Sequence, residues 1–296
     1  MQRLILLFAL LVLTSCQNAL LFHPDVDMKG WDASPLRQHP RLQELHFQAA
    51  DGIKLHGLLI RPSSGPSDRL ILHCHGNGGN LTHRIQWTAD LADGAGASVL
   101  LFDYRGYGHS EGSPDEDGVC LDAVAAYDHA LQLGYHPENL VINGSSLGGA
   151  VALALAEKRP SIGLVLEASF TSIPDMAEIY YPWIPRWAMN IDFNSLERIR
   201  RWQGPLLVIH GSDDELIPVE MGRQLYQACP SMEKSFLLIE GGNHSAPCDA
   251  NPALFLREFR NFVQSPSRQP QCLNLKTAVE RLKGSKVERI SCNSNN

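Results

Sequence analysis

Gly144-Ser145-Ser146-Leu147-Gly148 sets a serine between glycines two positions away on either side. A serine hydroxyl is a weak nucleophile at neutral pH; it becomes effective when a base takes its proton and an acid holds that base in place. The apolar run Leu140–Asn143 precedes the pentapeptide and the Ala- and Leu-rich stretch Ala150–Lys158 follows it. This predicts a strand, a sharp turn and a helix, the setting of a nucleophile elbow. Such a turn crowds the backbone, and small flanking residues relieve the crowding. Ser146 is the candidate nucleophile and Ser145 only its neighbour. Of twelve histidines, His244 stands on the glycine-rich segment Glu240-Gly241-Gly242-Asn243-His244-Ser245, directly after the apolar run Ser235–Glu240. It is the candidate base. The loop after Pro205–His210 offers three adjacent carboxylates, Asp213, Asp214 and Glu215, to orient it. The oxyanion that develops in acyl transfer needs hydrogen-bond donors, and the N–H of Leu147, the residue after the nucleophile, is one.

His210-Gly211-Ser212-Asp213-Asp214-Glu215-Leu216-Ile217-Pro218, followed by Gly241-Gly242-Asn243-His244, resembles the α/β-hydrolase superfamily. The resemblance implies that the acid is Asp214, four residues after the histidine. Asp213 is the runner-up, and Glu215 faces solvent or caps the following helix. His75-Gly76-Asn77-Gly78-Gly79-Asn80 is similar to the HGN-x-GN loop of the monoacylglycerol-lipase-like and depalmitoylase-like branches. That likeness implies the N–H of Asn77 as the second oxyanion donor and a structural role for His75. The segment from Asp103 to Ser110 resembles the superfamily's D-x-R-G-x-G-x-S pattern, with Asp103 and Arg105 tying loops together. The four motifs fall in the right order within residues 42–263. They imply an α/β-hydrolase fold with a mostly parallel central sheet of about eight strands, helices on both faces, and an acyl-enzyme intermediate. No cofactor is implied, and no metal, because no His/Cys cluster has metal-ligand spacing.

The elements that must carry these residues can be read from the pattern. Leu42–Ala49 and Ile53–Arg61 flank the turn dipeptide Asp51-Gly52 and predict a hairpin. Apolar runs at Arg69–His75, Ser98–Tyr104, Leu140–Gly144, Gly163–Ala168, Pro205–His210 and Ser235–Glu240 predict further strands. Helices are expected at Leu81–Asp93, Pro114–Leu133, Ala150–Lys158, Pro218–Cys229 and Ala253–Val263. Strands alternating with helices imply a parallel sheet covered on both faces, with the hairpin adding antiparallel strands at one edge. Residues 170–202 break the rhythm and predict a small apolar lid. Its Tyr180, Tyr181, Trp183, Ile184 and Trp187 are expected to line an acyl pocket, with Tyr181, Trp183 and Trp187 as substrate-binding residues.

The ends of the chain read differently. Arg3 precedes ten uncharged apolar residues, Leu4–Leu13, a secretory h-region too short to span a bilayer. Leu13-Thr14-Ser15-Cys16 resembles a bacterial lipobox, which implies cleavage after residue 15 and acylation of Cys16. Gln17 in place of Asp then resembles outer-membrane sorting. Residues 16–41 are expected to be the acylated N-terminus and a tether, 42–263 one domain, and 264–296 a tail whose Lys and Arg form a solvated face. The expected location is the bacterial envelope, on the membrane through the lipid anchor. A net charge of −7 argues against nucleic acid as a partner. Seven cysteines become one acylation site and six thiols. Local spacing suggests Cys229–Cys248 and Cys272–Cys292 as pairs, with Cys74 a buried free thiol. The expected substrate is a small-molecule acyl ester or thioester. A serine peptidase or amidase of the same fold, and a non-catalytic surface lipoprotein, are the alternatives.

Overall fold

The computed structural model describes residues 17–24, 40–245 and 247–265. The expected signal peptide, Cys16, Cys272, Cys292 and the tail from residue 266 lie outside them. One sheet of eight strands forms the centre: β1 Leu42–Gln48, β2 Lys54–Ile60, β3 Leu70–Cys74, β4 Ser98–Phe102, β5 Leu140–Ser145, β6 Gly163–Glu167, β7 Leu206–Gly211 and β8 Lys234–Ile239. Their spatial order is β1-β2-β4-β3-β5-β6-β7-β8. The β1–β2 and β2–β4 pairings are antiparallel, and the other five are parallel.

Side chains alternate across a strand, and this period of two divides the interior into two cores. Leu70, Leu72, Leu100, Leu140, Ile142, Leu164, Leu166, Leu206 and Val208 point to one face. There they meet α2 (Glu116–Gln132), α3 (Leu147–Ala156), α4 (Ile173–Tyr180), α5 (Ser195–Ile199) and α6 (Val219–Ala228). Ile71, Val99, Leu101, Val141, Val165, Leu207 and Ile209 point to the other, where α1 (Ile85–Ala95) and α7 (Pro252–Gln264) cover them. Strands apolar at every position are what a sheet buried on both faces demands. Helix starts are capped by side chains: Asp115 accepts from the Gly118 amide at 2.7 Å, and Asn251 from the Leu254 amide at 3.1 Å.

The pattern reading and the structure differ at a few places. Helix α3 begins at Leu147 rather than Ala150, because Gly148 and Gly149, weak helix formers, occupy its first turn. Helix α7 runs to Gln264, whose side-chain amide donates to the Ala95 and Gly96 carbonyls at 2.9 and 3.1 Å. Cys229 and Cys248 are buried free thiols that belong to cores on opposite faces of the sheet, so their expected pairing is not formed. Cys74 is a buried free thiol.

The start of the expected tether is also docked onto the domain. Gln17–Leu21 forms a short helix, Phe22 is buried against Phe193, and His23–Pro24 pairs in parallel with Gly78–Gly79. Among the described residues no helix is long and apolar enough to cross a membrane.

Phe259 of α7 is fully buried in the second core, its ring centroid 5.5 Å from that of Phe255 in a tilted arrangement. Phe259→Ala is expected to lower the unfolding free energy by about 3–5 kcal/mol through transfer loss and a residual cavity, read from urea denaturation.

Candidate active site

Ser146 is the hinge between β5 and α3. Its backbone has φ 55° and ψ −120°, on the positive-φ side that residues with a side chain rarely adopt. Two local contacts fix it there. Its N–H donates to the Glu167 carbonyl at 2.8 Å, and its carbonyl accepts from the Ser169 hydroxyl at 3.0 Å. The flanking glycines are demanded by packing. A Cβ on Gly144 would overlap the Gly148 carbonyl, and a Cβ on Gly148 would overlap the Cys74 carbonyl. The turn is therefore pressed against the end of β3, which carries the next loop of the site.

His244 Nε2 lies 3.1 Å from Ser146 Oγ. Its Nδ1 lies 2.9 Å from Asp214 Oδ2. The Asp214 side chain has no exposed surface, whereas that of His244 keeps 13%. Asp214 Oδ1 accepts the amides of Leu216 at 3.0 Å and Ile217 at 2.7 Å. His210 Nε2 donates to the Ile217 carbonyl at 2.9 Å and stands 3.2 Å from Asp214 Oδ2. Burial pushes the Asp214 carboxyl up, but the bonds from His210, His244 and the Ile217 amide outweigh it and hold it well below the ordinary carboxylate range. Asp214 thus stays an anion beside the imidazole.

The other two carboxylates of the loop face elsewhere. Asp213 accepts from the Ser212 hydroxyl at 2.7 Å, and the exposed Glu215 accepts the backbone amide of His244 at 3.3 Å. Glu215 does not cap α6, which begins at Val219 after Pro218 and has no side-chain cap.

Leu147 opens α3, and first-turn amides of a helix have no acceptor within it. The loop after β3 closes the opposite side: a Cβ on Gly76 would lie 3.5 Å from that of Ser146. Asn77 follows. Its side-chain amide donates to the Leu21 carbonyl at 2.5 Å, and its Oδ1 accepts from the His23 amide at 3.1 Å and the Tyr107 hydroxyl at 2.8 Å. Arg84 donates to the carbonyls of Asn80, at 2.7 Å, and Gly78. Asp103 Oδ1 accepts the Leu81 amide at 2.9 Å, and Arg105 grips both Asp122 and Asp51. Gln17–Pro24 and Arg84 are parts of this loop's support that sequence reasoning missed. The N-terminal residues have no period to mark them, and Arg84 lacks a motif of its own.

The lid differs from its expectation. Tyr181 is 53% exposed and Trp183 and Trp187 are each 75% exposed, so they stand outward instead of lining a covered acyl pocket. Two tight turns cause this, Ile184 N to Tyr181 O and Ala188 N to Pro185 O, each 2.9 Å. Other parts of the lid are held to the domain. Tyr180 donates to the Leu216 carbonyl at 2.6 Å, and Phe193, Ile199 and Trp202 are buried.

Beneath the elbow a buried polar chain crosses three strands. His73 Nδ1 meets Asn143 Oδ1, and Asn143 Nδ2 donates to Glu167 Oε1 at 2.6 Å. Burial drives the Glu167 carboxyl up to about 7 and His73 down to about 4, so both favour the neutral form. Asp103 is likewise raised by burial, to about 7. Among the described residues one group could hold a metal ion. The ligand atoms of Glu44, His46 and His56 lie within 4.8 Å of one another on β1 and β2. Cross-strand pairing of His46 with His56 creates that group, which sequence spacing alone does not display.

A profile described as "alpha/beta hydrolase fold" matches residues 69–196, and one described as "Serine aminopeptidase, S33" matches residues 194–251. An uncharacterised protein of Mycobacterium tuberculosis is 34% identical over 251 residues, covering 84% of this chain and 88% of its own length. Protein bem46 of Schizosaccharomyces pombe is 31% identical over 227 residues, 73% of this chain and 75% of its own. Among solved structures, an esterase of Pyrococcus furiosus superposes with a TM-score of 0.65 at 20% identity, covering 82% of this chain and 97% of that one. Est1E of Butyrivibrio proteoclasticus, solved with ferulic acid, gives 0.60 at 22% identity, covering 73% and 96%.

A buried acid whose folded-state value lies above its unfolded one stabilises the fold at low pH. It loses that contribution as pH rises from the unfolded value to the folded one. For Glu167 the window runs from 4.5 to about 7. Glu167→Gln removes this share, worth about 3 kcal/mol, while Asp103 keeps its own. The melting temperature of the variant relative to wild type is expected to rise from pH 5 to about pH 7 and to level off above it. A difference independent of pH counts against the assignment.

Proposed function

The chain belongs to the alpha/beta hydrolase superfamily, and from that footing we propose that it is a serine hydrolase cleaving carboxylic esters or thioesters through an acyl-enzyme. The observation that carries the reading is the continuous contact from Ser146 Oγ to His244 Nε2, at 3.1 Å, and from His244 Nδ1 to the buried Asp214, at 2.9 Å. In the proposed cycle His244 takes the Ser146 proton as Oγ attacks the carbonyl carbon. The C–O or C–S bond to the leaving group then breaks as His244 returns that proton to it. Water, deprotonated by the same imidazole, attacks the acyl carbon; the bond to Oγ breaks, His244 returns the proton to Ser146, and the acid is released. Asp214 holds the ring in the tautomer that presents a lone pair to Ser146 and stabilises the imidazolium. The N–H groups of Asn77 and Leu147 take the oxyanion, each worth about 3–4 kcal/mol in the transition state.

One finding favours a second reading, cleavage of amides or peptides. The profile over residues 194–251, which include Asp214 and His244, is that of serine aminopeptidases. Turnover of acyl esters against aminoacyl amides separates the two. The placement of the protein, held to the bacterial envelope by acyl chains on Cys16, belongs to the same proposal and rests on the lipobox-like Leu13-Thr14-Ser15-Cys16.

A fluorophosphonate probe is expected to label the folded protein, and Ser146→Ala to abolish labelling. A folded wild type that stays unlabelled removes the hydrolase reading and leaves the surface-lipoprotein alternative. Asp214→Asn is expected to lower kcat by about 10⁴-fold, since the wrong tautomer then faces Ser146. Asp213→Asn is expected to leave kcat within threefold.

A further inference from the structure

The outward-facing lid residues form a patch with a definite place. Ile179, Tyr181, Trp183 and Trp187 are 48%, 53%, 75% and 75% exposed on one short stretch. Between Ile179 and Asn190 the sole charged side chain is Arg186, and it is paired with Asp175 and Glu178. One end of the patch borders the acid loop, because Tyr180 donates to the carbonyl of Leu216, whose amide in turn binds Asp214. The other end is tied to the beginning of the described chain. Gln17 Nε2 donates to the Ala188 carbonyl at 2.7 Å, and its Oε1 accepts the Asn190 amide at 2.8 Å. Leu20, 64% exposed, extends the apolar surface along that segment.

Gln17 follows Cys16 directly, and one residue spans at most about 3.6 Å. An acylated Cys16 would therefore be bonded to a residue that is itself held to Ala188 and Asn190, the chain segment that follows Trp187. Exposed Trp and Tyr rings, with an apolar body and a polar edge, are the side chains that settle at the boundary between headgroups and acyl chains. We propose that this face, Leu20 with Tyr181, Trp183 and Trp187, seats in the boundary layer of the membrane to which Cys16 ties the chain. The mouth of the site then meets acyl esters held in the bilayer. The choice of a lipid surface as occupant rests on the reading of Cys16 as the acylated residue. With Arg186 already paired, the attraction is apolar and does not call for anionic lipid.

The test uses full-length acylated protein on neutral phosphatidylcholine vesicles whose acyl chains carry bromine, a contact quencher of tryptophan. Fluorescence is expected to fall by at least a third, equally at low and high salt. Trp183→Phe/Trp187→Phe is expected to abolish most of the quenching while flotation with the vesicles persists. Floated protein without quenching, or quenching unchanged in the double variant, overturns the proposal. Quenching confined to anionic vesicles and lost in salt also overturns it and moves the contact to the basic tail. Protein that neither floats nor is quenched discards both the anchor and the docked face. Fluorophosphonate labelling of the same samples reads the hydrolase proposal separately: labelled but unquenched protein keeps that reading and loses only the docking.

Discussion

The close approach at Ser146 is the constraint on which the rest of the site hangs. The β5–α3 turn lies so near the Cys74 carbonyl that Gly148 has no room for a side chain, and Gly144 has none against the turn itself. In return the serine is held at φ 55°, a conformation that costs of order 1–3 kcal/mol and survives only where neighbours determine it. The neighbours are supplied by β6 and the residues just after it, through the Glu167 carbonyl and the Ser169 hydroxyl. Parallel pairing brings the ends of β3, β5, β6, β7 and β8 to one edge, so the loops bearing Asn77, Ser146, Asp214 and His244 meet there.

Charge is distributed around this point with a clear division. Asp214, though its side chain is buried, is kept ionised by four converging donors, two of them backbone amides. Beneath the sheet's edge Glu167 and Asp103, raised by burial to about 7, favour the neutral form. Two carboxyl populations a short way apart therefore carry opposite preferences, set by how many donors each can find. Burial alone pushes in the same direction for all of them.

Much of this was legible in the residues. Strands apolar throughout announced a sheet covered on both faces, and the order of the motifs placed Ser146, the acid loop and His244 along it. What escaped has physical causes. Gly148 and Gly149 hid the first turn of α3, because they are chosen for the close approach and not for helix propensity. Spacing of 19 residues between Cys229 and Cys248 suggested a bridge, yet the sheet itself separates them. The lid's aromatic cluster, where the strand–helix rhythm breaks, suggests an acyl pocket; tight turns at Tyr181 and Pro185 send those side chains out instead. The choice among Asp213, Asp214 and Glu215 came from the motif's register, and the amides of Leu216 and Ile217 show why that register suits Asp214.

The docked N-terminal segment has a consequence for how such a chain can be assembled from parts. A leader and an enzyme are usually interchangeable modules, because an unstructured spacer separates them and any junction within it serves. Here Phe22 fills a place in the first core, and the backbone of Leu21 and His23 completes the bonding of the Asn77 side chain. The modular boundary therefore falls before Gln17. A segment joined ahead of that point leaves the folded domain whole. One joined after Pro24 removes Phe22 from the first core and the backbone partners of Asn77, so the candidate site loses part of its support.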